Sequence, residues 1–299
     1  MAVTVQHAAP LRGIALMVVS TLFMGLNNAV LKLLTTGFPT GQILFMRGVA
    51  ILPVIGLFAW MSGGWSALRI NRKSAHLTQG AVMCVSAWFF VLSVAHLPLA
   101  TAIALTFATP LFVTALAGPL LGEAIGWRRW GAVAVGFLGI LVITRPGSAG
   151  FQAAAAFPVI CAMASAGRDI VTRKMTAGES SVAIMASANV AMVLMGLCTL
   201  PFGWVMPDSR AVLLVLLCAP LVAVGHWTTI EALRYAEAAV AAPFRYSAIV
   251  WAGVLGFLIW GDLPDAWAVT GTGIVIASGL YILHREYVRR RVAPVPAAD

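Results

Sequence analysis

Charge is what this sequence has least of. Only 10% of its 299 residues are charged and ten are acidic, against 61% hydrophobic and a mean hydropathy of +0.95. Soluble chains carry about a quarter charged and about half apolar residues, so a soluble globular protein is excluded. Recognisable catalytic motifs are missing too. There is no HExxH, no G-x-S-x-G and no Asp-rich cluster, so a membrane-embedded enzyme acting on lipid or polyprenyl substrates has no support. No GxxxxGK[ST] loop is present, which argues against an ATP-driven pump. The four cysteines, Cys84, Cys161, Cys198 and Cys218, lie inside apolar runs without paired ligand spacing. Neither a disulfide framework nor a metal site is expected, and no cofactor is called for. No cleavable signal is expected near the N-terminus, because the apolar run from Leu11 continues past Leu31.

Long apolar runs are what the sequence has instead. Windows of about 20 residues, enough to cross a hydrocarbon core of roughly 30 Å, fit ten times. They lie near 11–34, 40–61, 76–97, 99–121, 127–145, 152–174, 181–203, 211–235, 238–260 and 265–286. Several connectors are so short, such as His96-Leu97-Pro98 and Ala236-Glu237, that the neighbouring spans must run antiparallel. Lys and Arg collect on one side: Arg12, Arg69, Arg72, Lys73, Arg128, Arg129, Arg173, Lys174, Arg234 and the run from Arg285. The other side holds only Arg145 and Arg210. By the positive-inside rule both termini are cytoplasmic, which an even number of spans requires. The net charge of +9 is thus a topology signal, and a nucleic-acid partner is not expected.

The chain also repeats itself. The stretch from Trp88 to Glu123 returns after a constant 139 residues: Trp227 falls on Trp88, Ala239 on Ala100, Ala241 on Ala102, Gly261 on Gly122 and Asp262 on Glu123. After a one-residue insertion Gly131 falls on Gly271 and Gly139 on Gly279, while Gly25–Lys32 matches Gly167–Lys174 at an offset of 142. Five spans per copy is an odd number, so the second copy enters the membrane inverted. The expected fold is all-α, a polytopic bundle of ten transmembrane helices in two inverted five-helix repeats, residues 1–148 and 149–299. The turn Arg145–Gly150 is the boundary between them.

Ten spans, the inverted repeat, the junction Gly122-Glu123 followed by Trp127, and its echo Gly261-Asp262 resemble the drug/metabolite transporter superfamily in its EamA-type branch. Within the branch the chain looks most like the YddG-type amino-acid exporters. The resemblance implies a secondary transporter in a bacterial-type inner membrane. It would export small metabolites, amino acids with apolar or aromatic side chains among them, by alternating access around a central cavity lined by both halves. Other metabolites or lipophilic cations are the alternative. Small four-helix members use an acid in the middle of the first span, whereas Gly13–Leu31 contains none, so proton-coupled efflux of that type is in doubt. The bilayer and a small-molecule substrate are the expected partners, and a monomer suffices.

Polar residues inside spans are costly, by about 2.5 to 3.5 kcal/mol for a charge, and tend to face a cavity or a partner. Arg47, about 12 Å into the second span, reads either as a cation for a substrate carboxylate or as a structural partner of backbone carbonyls or Asn28. Asn27 and Asn28 sit in the first span, with Asn28 and Lys32 on one face; interhelical hydrogen bonding is the alternative to substrate contact. Trp88 and Trp227 fall near mid-span at matching repeat positions. They suit either core packing or a cavity wall offering apolar and cation–π contact. His226 flanks Trp227 and reads as a helix contact or a proton carrier.

Thr106, Thr109 and Pro110 share one face of the fourth span, and Arg245 falls opposite Thr106 in the repeat, beside Tyr246. Prolines 110 and 243 free carbonyls that only protein or water can satisfy. Asp169 and Glu231 are the acids within spans and the coupling candidates. Asp169 with Arg173 four residues on, and Glu231 with Arg234 or Arg245, are the ion-pair alternatives. Glu123 and Asp262 read as helix caps.

Overall fold

The computed structural model describes residues 10–61, 64–122, 126–147, 153–175, 178–236 and 238–292. These residues form twelve α-helices with short 3-10 turns and no strands. They are α1 (Pro10–Leu34), α2 (Thr40–Met61), α3 (Lys73–His96), α4 (Leu99–Thr106), α5 (Thr109–Leu121), α6 (Trp127–Thr144), α7 (Ala156–Met175), α8 (Ser181–Leu197), α9 (Ser209–Tyr235), α10 (Ala238–Ala241), α11 (Ser247–Trp260) and α12 (Ala266–Val292). In a bilayer every backbone polar group must be satisfied within its own segment, which leaves helices as the solution for runs this apolar.

Nine helical stretches among the described residues are long and apolar enough to cross a membrane, α4–α5 counting as one, and Ser181–Leu197 is a shorter apolar helix. That shorter helix is the seventh of the ten expected spans. It stops at Leu197 because Pro201 follows without an N–H to donate; the Thr199 hydroxyl, 2.6 Å from the Gly196 carbonyl, closes the end.

Side chains set several helix starts. Ser180 accepts from Ala183 N–H at 3.0 Å, Asp208 from Ala211 N–H at 2.8 Å and Asp265 from Ala268 N–H at 2.7 Å. Gly122 and Gly261 end α5 and α11 in the left-handed region, at φ 69° and 72°. That conformation suits a residue without Cβ and explains why the repeated junction keeps glycine.

Helix packing follows the repeat. α1 lies against α9 as α3 lies against α7, α1 meets α11 as α5 meets α7, and α2–α8 and α6–α12 pair helix with counterpart. Small residues make the close approaches. A Cβ on Gly139 would sit 2.9 Å from the Gly271 carbonyl oxygen, and one on Gly271 would sit 2.6 Å from that of Gly139. The main core gathers Leu31, Leu34, Ile43, Leu44, Val91 and Leu99 with Trp88, Phe107 and Trp260 packed against it. Because the spans alternate in direction, the start of α1 and the end of α12 share one face of the bundle, the terminal face. The α1–α2 and α3–α4 turns lie at the opposite, far face.

Candidate functional site

The fourth and ninth spans are both interrupted near their middles, at matching positions. α4 ends at Thr106 and α5 begins at Thr109; across the repeat, the 3-10 turn Ala242–Tyr246 gives way to α11 at Ser247. Pro110 has no N–H for the Thr106 carbonyl, and the Thr109 hydroxyl takes the vacant place at 2.7 Å. Thr106 donates to the Ile103 carbonyl at 2.7 Å, and Ser247 to that of Phe244 at 2.6 Å. Thr106 and Thr109 therefore donate their hydroxyl protons to the backbone of the break.

Phe107 and Tyr246, equivalent in the repeat, meet here with ring centroids 4.9 Å apart and planes tilted by 35°. Tyr246 is buried, and its hydroxyl fills the space that the missing side chain of Gly279 leaves on α12. Packing, not an exposed hydroxyl, is its place in the fold.

At the far face Lys32 ties three elements together. Its ammonium donates to the Leu97 carbonyl at 2.9 Å and to Asp262 at 3.2 Å, and stands 4.8 Å from the centroid of Trp260. Asp262 is thus an ion-pair partner and not the cap of the following helix; Asp265 is the cap, and it also pairs with Arg145. Glu123, read alike from the sequence, lies outside the described residues, as does the end of the turn after Gly147. Lys174, the repeat counterpart of Lys32, reaches the Leu120 carbonyl at 2.7 Å near the end of α5. Each lysine therefore bridges from its own half to the end of the broken span in the other half.

Arg47 is partly buried on α2, with the Cys218 thiol of α9 beside it and its Nε without a hydrogen-bond partner. No carboxylate among the described residues pairs with it, and no bond to Asn28 forms. Next to it, Asn189 of α8 donates to the Gly48 carbonyl at 2.9 Å. Asn27 is buried with its Oδ1 unpartnered, and its Nδ2 stands 3.5 Å from Asn28 Oδ1.

The paired tryptophans part company. Trp88 packs against the main core, whereas Trp227 is 61% exposed, with His226 also exposed beside it. The α9 face toward α1 is taken instead by Gly225 and Thr229, which meet Ser20 at 2.7 and 2.5 Å. Arg245 is exposed at the ninth-span break. Asp169 pairs with the adjacent Arg168 at 2.9 Å rather than as the i,i+4 partner read from the sequence, and both are partly exposed. Glu231 is half-buried and takes part in an interaction of its own. The predicted residues thus form no single cluster. Arg47, Asn27 and Trp88 lie within the bundle, while Trp227, His226, Arg245 and Asp169 lie on its surface.

One polar centre was not foreseen. At the terminal face Glu179, between α7 and α8, accepts from the backbone N–H of Asn71 at 3.1 Å and of Arg72 at 2.7 Å, and stands 3.3 Å from His76 Nε2. His76 Nδ1 lies 2.6 Å from the Ser187 hydroxyl, and Ser180 donates to the Ala67 carbonyl. Burial alone would raise the Glu179 carboxyl, but the two N–H donors and His76 outweigh it and hold the group below its ordinary value. Its sequence trace was slight: a single acid in a short loop on the basic side.

The profile of the EamA-like transporter family matches this chain twice, over residues 11–145 and again over 153–283. The chain belongs to the EamA-like transporter family. Among its relatives, the S-adenosylmethionine uptake transporter of Rickettsia prowazekii is 26% identical over 282 residues, covering 92% of this chain and 94% of the other. The riboflavin transporter of Rhizobium johnstonii is 28% identical over 291 residues, with 96% of each chain covered. The pseudopaline exporter CntI of Pseudomonas aeruginosa is 26% identical over 275 residues, covering 91% and 96%. A solved crystal structure matches with a TM-score of 0.60 at 17% identity over 93% of this chain and 99% of that one, a likeness of fold. The chain is a multi-pass membrane transporter, and these EamA-type relatives carry small molecules.

Proposed function

We propose that this protein is a secondary transporter of small zwitterionic metabolites that carry a carboxylate and an apolar or aromatic part, amino acids and their derivatives foremost. Arg47 carries the reading. A guanidinium set roughly 12 Å into a span, with no carboxylate partner among the described residues and an unpartnered Nε, is a costly group unless something charged visits it. A bidentate carboxylate has the geometry to satisfy it. Asn27, with its buried free oxygen, offers an acceptor for an ammonium group, and Trp88 an apolar wall. The relative named for S-adenosylmethionine supports the class, since that molecule joins an amino-acid end to an aromatic base.

The terminal face carries the basic connectors and is the cytoplasmic face on the positive-inside rule, in a bacterial-type inner membrane. Residues 1–148 and 149–299 form its two inverted halves. Movement runs outward, by alternating access between them. Asp169 and Glu231 are the acids available for proton coupling.

Counterflow into liposomes tests this, with a panel of amino acids, S-adenosylmethionine, riboflavin, a nucleobase and a lipophilic cation, each with and without a pH gradient. Saturable flux of carboxylate-bearing members that falls about 10-fold or more in Arg47→Gln supports the reading. Flux confined to the nucleobase or the cation, or unchanged in Arg47→Gln, overturns it.

A further inference from the structure

The α6–α12 pair is closed at one end and open at the other. Toward the far face Gly139 and Gly271 bring the two backbones together. Toward the terminal face the repeat-related positions do not close: Gly131 has nothing within 4 Å, and Gly279 is occupied from the bundle side by Tyr246. A groove of about 400 Å³ opens there, lined by Trp127, Arg128, Gly131, Ala132, Ala277 and Tyr281.

We propose that this groove is a binding site for an anionic glycerophospholipid, with the phosphate at Arg128 and an acyl chain along Gly131, Ala132 and Val135. Three observations carry it. The groove changes character along its length: Trp127, Arg128 and Tyr281 form its mouth, and glycine, alanine and valine its floor, which is the polarity profile of one lipid molecule. The mouth is cationic and interfacial. Arg128 is exposed, its guanidinium 5.3 Å from the centroid of the 78% exposed Trp127, and no acid lines the groove among the described residues. Arg285 lies one turn beyond Tyr281 on the same helix and adds a second positive charge to that end.

The floor also faces outward. Val135 and Tyr281 are exposed, and the Ser278 hydroxyl is already bonded to the Val275 carbonyl at 3.0 Å, so the walls present hydrocarbon to the bilayer. Basic pockets between transmembrane helices select anionic headgroups because phosphate neutralises a charge that a zwitterionic headgroup leaves partly uncompensated. A bound chain would also fill the groove between the two helices, where empty space forfeits contacts.

The test is native mass spectrometry of the full-length protein, stripped of lipid in detergent and titrated with phosphatidylglycerol or phosphatidylcholine. Phosphatidylglycerol is expected to bind about fivefold more tightly, the effect of one basic residue at the surface. Arg128→Gln brings it to the phosphatidylcholine level. Gly131→Leu, which fills the floor where a new side chain meets no neighbour, weakens both lipids, while circular dichroism and size exclusion report that the variant is folded. Glycerol phosphate added in excess fails to displace the lipid, because the acyl chain contributes. Equal affinity for the two lipids overturns the proposal, as does a preference unchanged in both variants, or full displacement by glycerol phosphate. A protein dimer that dissolves in Gly131→Leu would instead make a second copy the occupant, and would equally overturn it.

Discussion

The rings of Phe107 and Tyr246, equivalent residues of the two halves, pack with their centroids 4.9 Å apart where the fourth and ninth spans are broken. The contact places the two interruptions against each other in the bundle. The Tyr246 hydroxyl then reaches into the space at Gly279 on α12, so a tyrosine on one element and a glycine on another are matched in shape.

Gly279→Ala drives a methyl group into that hydroxyl and is expected to lower stability by about 1 to 3 kcal/mol, the range for overpacking. Tyr246→Phe removes the oxygen and leaves the ring carbon at an ordinary contact distance of 3.4 Å. The double variant should therefore regain most of the loss. Thermal unfolding of the four proteins in detergent checks this, and additive losses would contradict the fit.

Gly139 and Gly271 predict an asymmetry along the α6–α12 pair. Gly271→Ala meets backbone atoms and should cost about 1 to 3 kcal/mol. Gly131→Ala meets nothing and should be neutral or stabilising by up to about 1 kcal/mol, the helix-propensity gain of alanine over glycine. The same melts read both.

The Lys32–Asp262 pair is expected to couple only modestly through charge, because Asp262 remains one-third exposed. A double-mutant cycle with Lys32→Met and Asp262→Asn should give a coupling of about 0.2 to 1 kcal/mol. Lys32→Met should be the more damaging single change, since it also loses the Leu97 carbonyl and the Trp260 face. Equal single losses would show that the carboxylate is the whole of the interaction.

Glu179 predicts a pH dependence with a definite sign. Its folded carboxyl titrates below the ordinary value, so its contribution is fully present above that value and is lost as the pH falls through the folded one. Glu179→Gln should be less stable than the parent near pH 7. The gap should narrow as acid protonates the parent's carboxyl, in melts recorded from pH 7 down to pH 3. A gap independent of pH would assign the role to shape rather than charge.

Span positions, antiparallel order and the equivalence of Gly122 with Gly261 were legible because hydropathy and backbone conformation are local properties. The breaks were legible in part, from Pro110 and from Pro243. Helix rotation was not. When nearly every face of a span is apolar, the pattern says little about which face turns inward, and packing decides. Ser20 and Thr229 turn α9 so that Trp227 points out of the bundle, although its repeat partner Trp88 points in. Lys32 with Asp262, and Glu179 with the start of α3, join segments 230 and 107 residues apart, respectively, a distance over which sequence spacing carries no register.

Thr109 covers the carbonyl that Pro110 leaves open, and this has a mechanical consequence. A joint that lacks one backbone ladder bond, its open carbonyl met by a side-chain hydroxyl, has one fewer ladder bond to strain on bending than an unbroken helix. The stiff arms on either side, α4 and α5, would swing as levers about a fulcrum near the middle of the span. A small rotation there would be magnified at both surfaces of the bundle, more at the end of α5, 13 residues long, than at the end of α4, 8 residues long.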